Sequence, residues 1–280
     1  MKKFGLTAIR IIIYIIVYLI GVGVFQFLSA YLAGIDFFEA KSFNDVEFLV
    51  INFGGLIGTL FVTYLFARFI DKIPFVEIGL QTQRAVKDFG LGTLLGFLPI
   101  LFGFTILYLM KIIHSVDIHF DTTGLITSVL LFIFVAFNEE IMLRGYVLRN
   151  LMNTTNKYTA LILSAILFAL LHIFNAHIDL IGFINIFLAG ILLGMSYIFT
   201  KNLFFPAGLH FAWNLTQSLL GFNVSGNNSY SLLHYELSKD KPWLSGGAFG
   251  FEASILSLVF ELILIVIIFF IFHKRQKYTS

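Results

Sequence analysis

The chain has 280 residues, 59% of them hydrophobic and only 12% charged, with a formal net charge of +2, 35 Phe and no Cys. An ordinary soluble domain is about 25% charged, so this composition, with a mean hydropathy of +0.93, is that of a polytopic membrane protein. Disulfides, thiolate metal ligands and cysteine nucleophiles are excluded. The basic residues are spread over loops rather than gathered in a patch, so no nucleic-acid partner is expected.

Eight hydrophobic segments follow one another at approximately 8–29, 47–67, 89–110, 124–147, 158–178, 180–199, 203–221 and 253–272. Each is near the roughly 20 residues needed to cross about 30 Å of hydrocarbon. The expected fold is an all-α, polytopic membrane helix bundle of about eight transmembrane helices. It forms a single integral-membrane domain over 1–280, with a catalytic core at about 124–221. The first segment follows Lys2 and Lys3, but its apolar run is too long for a signal-peptide core and no clear cleavage site follows. It is read as an uncleaved span.

Lys/Arg bias sets the orientation. With the N-terminus inside, 14 of the 18 basic residues fall on the cytoplasmic side. Lys41, Lys111, Lys239 and Lys241 fall outside, near acids such as Glu39, Asp45 and Asp121. Both termini are therefore expected to be cytoplasmic, in a multi-pass protein of the cell membrane.

Gly54/Gly58, Gly92/Gly96 and Gly190/Gly194 are small-xxx-small pairs, which let helix backbones approach closely in lipid. The loop at 68–88 carries the amphipathic run Phe75–Leu80, expected at the interface. No strand-forming domain, soluble domain or internal repeat is evident.

The fourth segment contains Glu139, Glu140 and Arg144. One uncompensated charge at a helix centre costs about 2.5–3.5 kcal/mol on insertion scales, so such a cluster is by default a functional-site hypothesis. Glu140 and Arg144 stand i,i+4 with the acid first and are expected to compensate one another. Glu139 points about 100° away, has no partner on its own helix and is the better candidate for chemistry. The fifth segment adds Phe168, His172, Asn175 and His177, and the seventh adds His210 and Asn214, which share a face.

Depth favours convergence. Glu139 lies about 15 Å before Arg149, His210 roughly 13 Å beyond Lys201 and His172 about 22 Å beyond Lys157 along their helices. A cavity in the cytoplasmic half or near the midplane, open to the cytoplasm, is expected. A carboxylate and an imidazole converging on water can activate it and then protonate a leaving amine. A second His and an Asn can hold an oxyanion. Two His and one Glu are also a catalytic zinc set, so Glu139, His172 and His210 could hold a divalent metal such as zinc. The residues alone leave both mechanisms open.

Glu139-Glu140-x-x-x-Arg144, Phe168-x-x-x-His172 and His210-x-x-x-Asn214, in that order and in separate apolar segments, resemble the signature of the CPBP intramembrane proteases. That family includes the type II CAAX prenyl endopeptidases and the bacterial Abi, or bacteriocin-immunity, relatives. The resemblance covers about 130–220, and the stretches Ile78–Leu80 and Gly246–Glu252 look like the bacterial branch. It implies that Glu139 and His172 activate water and that His210 and Asn214 hold the oxyanion. Glu140, Arg144 and Phe168 then support the site. The family has been described both as metalloproteases and as metal-independent glutamate proteases. The implied partners are the lipid bilayer and a peptide or lipidated-protein substrate, in peptide processing or bacteriocin self-immunity. A proton-coupled transporter and a non-catalytic immunity or scaffold protein are the competing readings. Intramembrane Glu and His, with Glu261 in the last segment, also suit proton relays. Glu261 is otherwise expected to bond to a neighbouring helix.

Overall fold

The computed structural model describes residues 2–36, 43–238 and 240–277. Glu39, Lys41 and Lys239, used above to assign the outer loops, lie outside the described residues, as do the side chains of Lys2, Arg275 and Lys277.

Eight principal helices form the bundle: α1 (Lys2–Leu32), α2 (Asp45–Leu65), α3 (Ala85–Leu109), α4 (Thr122–Glu140), α5 (Lys157–Leu171), α6 (Leu180–Thr200), α7 (Phe204–Leu219) and α8 (Ile255–Lys277). Beyond Glu140, α4 continues through a π-helical stretch, Ile141–Leu148, into a last α-turn, Arg149–Met152. Six of the eight are long and apolar enough to cross a membrane. The others, α5 with 15 residues and α7 with 16, are shorter than the expected eight full spans require. The fifth segment ends early because His172 closes α5, and residues 172–176 form turns.

Local chemistry sets the helix starts. Asn44 and Glu47 form a reciprocal capping box on α2, and Asn156 caps α5 through the backbone N–H groups of Tyr158 and Thr159. The Asp121 carboxylate accepts from Gly124 N at 2.6 Å at the head of α4. Such side chains satisfy amides that have no partner inside the helix, typically contributing about 1 kcal/mol each.

All three glycine pairs lie at close crossings. A Cβ on Gly54 or Gly58 would meet α1 at Phe25, Ser29 or Val22, and one on Gly92 or Gly96 would strike the α7 backbone at Phe205 or Leu209. A Cβ on Gly190 would come within 2.8 Å of Ala165 Cα on α5. Lipid offers no hydrophobic drive between helices, so this backbone proximity is what gains dispersion energy. Outward-facing Leu6, Ile9, Ile13, Leu19 and Ile20 on α1 are exposed, as lipid contact requires.

The two ends of the bundle are built differently. At the basic end, Arg10 pairs with Asp71 at 2.6 Å and Arg149 with Glu77 at 3.8 Å. The Phe75–Ile78 turn exposes Val76 and Glu77 and buries Ile78, whose carbonyl accepts from Tyr197 Oη at 2.8 Å, and Gly79 O accepts from Leu203 N at 2.9 Å. At the opposite end, β1 (Ile113–Ile118) and β2 (Leu233–Leu237) form a two-stranded antiparallel ribbon, an element the sequence reading lacked. There Tyr230 packs on Gly124 and its hydroxyl accepts from Asp121 N at 2.9 Å.

Candidate active site

The cluster on α4 divides as its helical spacing predicts, with one addition. Glu140 is fully buried, and its Oε1 accepts from Arg144 Nη1 at 2.8 Å. Arg144 Nη2 donates to Gly190 O at 3.1 Å, and the guanidinium lies 4.8 Å from the Phe168 ring centroid. The addition is His210, whose Nδ1 lies 3.0 Å from the same Glu140 oxygen. Glu140 therefore anchors two elements, its own helix and α7. The turn that follows it is π-helical and buried throughout; such turns are frequent at functional sites.

Glu139 faces the other way, into an internal cavity of about 450 Å³. Its Oε2 has no hydrogen-bond partner. That oxygen lies 3.9 Å from His172 Nε2 and 3.9 Å from His210 Nε2, beyond hydrogen-bond reach of either. Polar groups at this separation can be joined by one water.

Each imidazole is held by its other nitrogen. His172 Nδ1 is 2.8 Å from Phe168 O, and a carbonyl only accepts, so Nδ1 carries the hydrogen and the neutral ring presents an Nε2 lone pair to the cavity. The Phe168 ring packs on His172 with centroids 4.5 Å apart. His210 Nδ1 instead meets the Glu140 carboxylate, which accepts the Nδ1–H. Asn214, one turn after His210, is buried and lines the cavity. All four expected catalytic side chains thus share one chamber, with Glu140 and Arg144 beneath it and Phe168 in its wall.

His177 is exposed on the loop after α5 and takes no part in the chamber, whereas Asn175 lines it. The expectation for Glu261 is corrected: it also lines the chamber, and it does not bond to a neighbouring helix. Its Oε1 accepts from Ser257 Oγ on its own helix at 3.3 Å, and Oε2 has no partner. Asn175, Val224, Ser225, Asn227, Ser229 and Glu252, from the end opposite the basic residues, are part of the cavity lining.

Sequence reasoning also missed polar partners on other helices. Tyr18 Oη donates to Asn138 Oδ1 at 3.0 Å, and Thr59 Oγ1 donates to the same atom, fixing the residue next to Glu139. Asn138 was readable as a neighbour of the cluster; nothing marked Tyr18 or Thr59. Glu252 was noted only within a Gly-rich stretch. Its carboxylate accepts from Ser225 N, and burial raises it above the usual carboxylate range, against the lowering by the Ser225 hydrogen bonds.

As for a metal, the donor chemistry of two Nε2 atoms and a carboxylate is suitable, but the spacing is not. Ligands of a tetrahedral zinc sit roughly 3.4 Å from one another, and here the oxygen stands 3.9 Å from each nitrogen. Among the described residues no group of three His, Asp or Glu is arranged to hold a metal ion.

Six helices among the described residues are long and apolar enough to cross a membrane, which points to a multi-pass membrane protein. Residues 121–216 match the family model described as type II CAAX prenyl endopeptidase Rce1-like. This stretch holds every residue of the three motifs, so their resemblance to the CPBP/CAAX proteases is shown over this part of the chain, and the match points to a CAAX-type intramembrane protease. No curated protein and no solved structure matches the chain.

Proposed function

We propose that the protein is an intramembrane endopeptidase that cleaves peptide bonds of membrane-embedded or lipidated peptides with a water activated by Glu139. The observation that carries this reading is the unpartnered Glu139 Oε2, 3.9 Å from two imidazole Nε2 atoms inside a cavity.

A water in that gap donates one hydrogen to Glu139 Oε2 and the other to the His172 Nε2 lone pair. As its oxygen attacks the scissile carbonyl, Glu139 takes the proton, which is general-base work. The carbonyl oxygen gains the negative charge and accepts from His210 Nε2–H and the Asn214 amide, an oxyanion site preorganised by Glu140 behind His210. When the C–N bond breaks, the proton on Glu139 passes to the departing amine, and Glu139 is again a carboxylate. His172 and His210 stand equally far from Glu139; what separates their roles is the carbonyl behind one and the carboxylate behind the other.

With the N-terminus on the cytoplasmic side, as the Lys/Arg bias favours, the lining residues Val224, Ser225, Asn227, Ser229 and Glu252 fall toward the outer side. Substrates then enter from that side, which suits the processing of exported or membrane-inserted peptides and bacteriocin self-immunity.

The test is product analysis by mass spectrometry on candidate membrane peptides, with the wild type beside Glu139→Gln. Cleavage by the wild type and none by the variant is expected; equal cleavage by both would end the proposal.

A further inference from the structure

The cavity holds more acid than the reaction uses. Besides Glu139, it is lined by Glu252 and Glu261, while among the described residues no Lys or Arg lines it. Arg144 lies outside the lining, occupied by Glu140, Gly190 and Phe168. Glu252 is rigidly placed. Its side chain is held by Ser225, and Asn185 Nδ2 donates at 2.8 Å both to its carbonyl and to that of Ser254. It lines the same chamber as His172 and His210. Glu261 is 1% exposed and lines the same chamber, yet its Oε2 accepts no hydrogen bond from the protein. A buried acceptor left unsatisfied is destabilising, more so when charged, so this oxygen is suited to a donor that arrives with a ligand.

We infer that Glu252 and Glu261 form a cation subsite, so that the peptide accepted by the cavity carries a lysine, arginine or free amino group beside the bond to be cut. An ammonium or guanidinium there gains charge-assisted hydrogen bonds to the free Glu261 oxygen and to Glu252. A carboxylate in the same place meets three acids and only the two imidazoles. The subsite thus favours internal, basic segments over a free C-terminal carboxylate. This inference rests on the hydrolytic reading only for the words "bond to be cut"; binding can be measured apart from it.

The probes are three acetylated, C-amidated apolar peptides identical except for a central lysine, norleucine or glutamate. Their affinities are measured by calorimetry with the full chain in lipid nanodiscs. Norleucine keeps the lysine stem without the ammonium. The lysine peptide is expected to bind about tenfold more tightly than norleucine, the size of a charge-assisted hydrogen bond, and the glutamate peptide most weakly. Glu261→Gln, which keeps an acceptor for Ser257, is expected to bring lysine and norleucine level. Equal affinities in the wild type, lysine preference surviving Glu261→Gln, or no binding of the lysine peptide would each overturn the subsite. Glu139→Gln separates the two proposals. Preference retained with cleavage undiminished in that variant ends the hydrolytic reading alone. Wild-type cleavage without preference ends the subsite alone.

Discussion

Glu140 is completely buried, its Oε1 shared by Arg144 and His210 and its Oε2 without a partner, whereas Glu139, the preceding residue, keeps about a quarter of its side chain open to a cavity and has no ion pair with Arg144. One peptide bond separates a carboxylate paired with a guanidinium from one that faces the cavity and two imidazoles. The difference teaches how a membrane bundle holds a reactive acid. The first carboxylate fixes its own helix and the His210 imidazole, and the second, held by neither, lines the cavity.

The comparison is broken most severely at Glu139. Glu139→Gln is expected to lower the cleavage rate about a thousandfold, within the range of general acid–base catalysis, while thermal unfolding in detergent stays near that of the wild type. Glu140→Met should do the reverse in stability. Removing one member of a buried ion pair leaves Arg144 uncompensated and costs about 3–5 kcal/mol, read as a lowered unfolding temperature. Glu140→Met combined with Arg144→Met should recover most of that loss without restoring cleavage, because His210 has lost its anchor. Recovery of cleavage in the double variant would mean that Glu140 serves the fold alone.

The same contrast shows what was legible in the sequence. The Glu140–Arg144 pair could be read because both residues lie on one helix, where spacing fixes distance. The convergence of Glu139, His172, His210 and Asn214 could be read from four expensive polar groups placed in three apolar segments. The Glu140–His210 contact could not, because it depends on how α4 crosses α7. Tyr18 and Thr59 carried no mark, since a hydroxyl in an apolar span is cheap enough to pass as packing. Ile113–Ile118 and Leu233–Leu237 are far apart in the chain, so neither announced a strand.

A smaller effect sharpens the role of the histidines. If water is held by Glu139 and His172 alone, a chelator such as 1,10-phenanthroline followed by desalting should change the cleavage rate by less than about twofold, whereas removal of a catalytic zinc abolishes activity. Loss of cleavage, restored by added zinc, would show that the three side chains close by a few tenths of an ångström around a metal.

The smallest change is expected one residue before Glu139. Asn138 Oδ1 accepts from both Tyr18 and Thr59, so α1 and α2 together fix the backbone position from which Glu139 projects. Tyr18→Phe removes one of two donors, and a single hydrogen bond contributes about 1 kcal/mol net. Because Thr59 still holds the amide, kcat should fall only a few-fold, about the rate equivalent of that energy, with KM unchanged. Adding Thr59→Val leaves the acceptor with neither hydroxyl. The fall in kcat should then exceed the product of the two single effects, since either donor suffices while both must go before Asn138 can turn. A double variant that cleaves at the Tyr18→Phe rate would show that the reactive carboxylate is positioned by Glu140 and the π-helical turn behind it, and owes nothing to the first two helices.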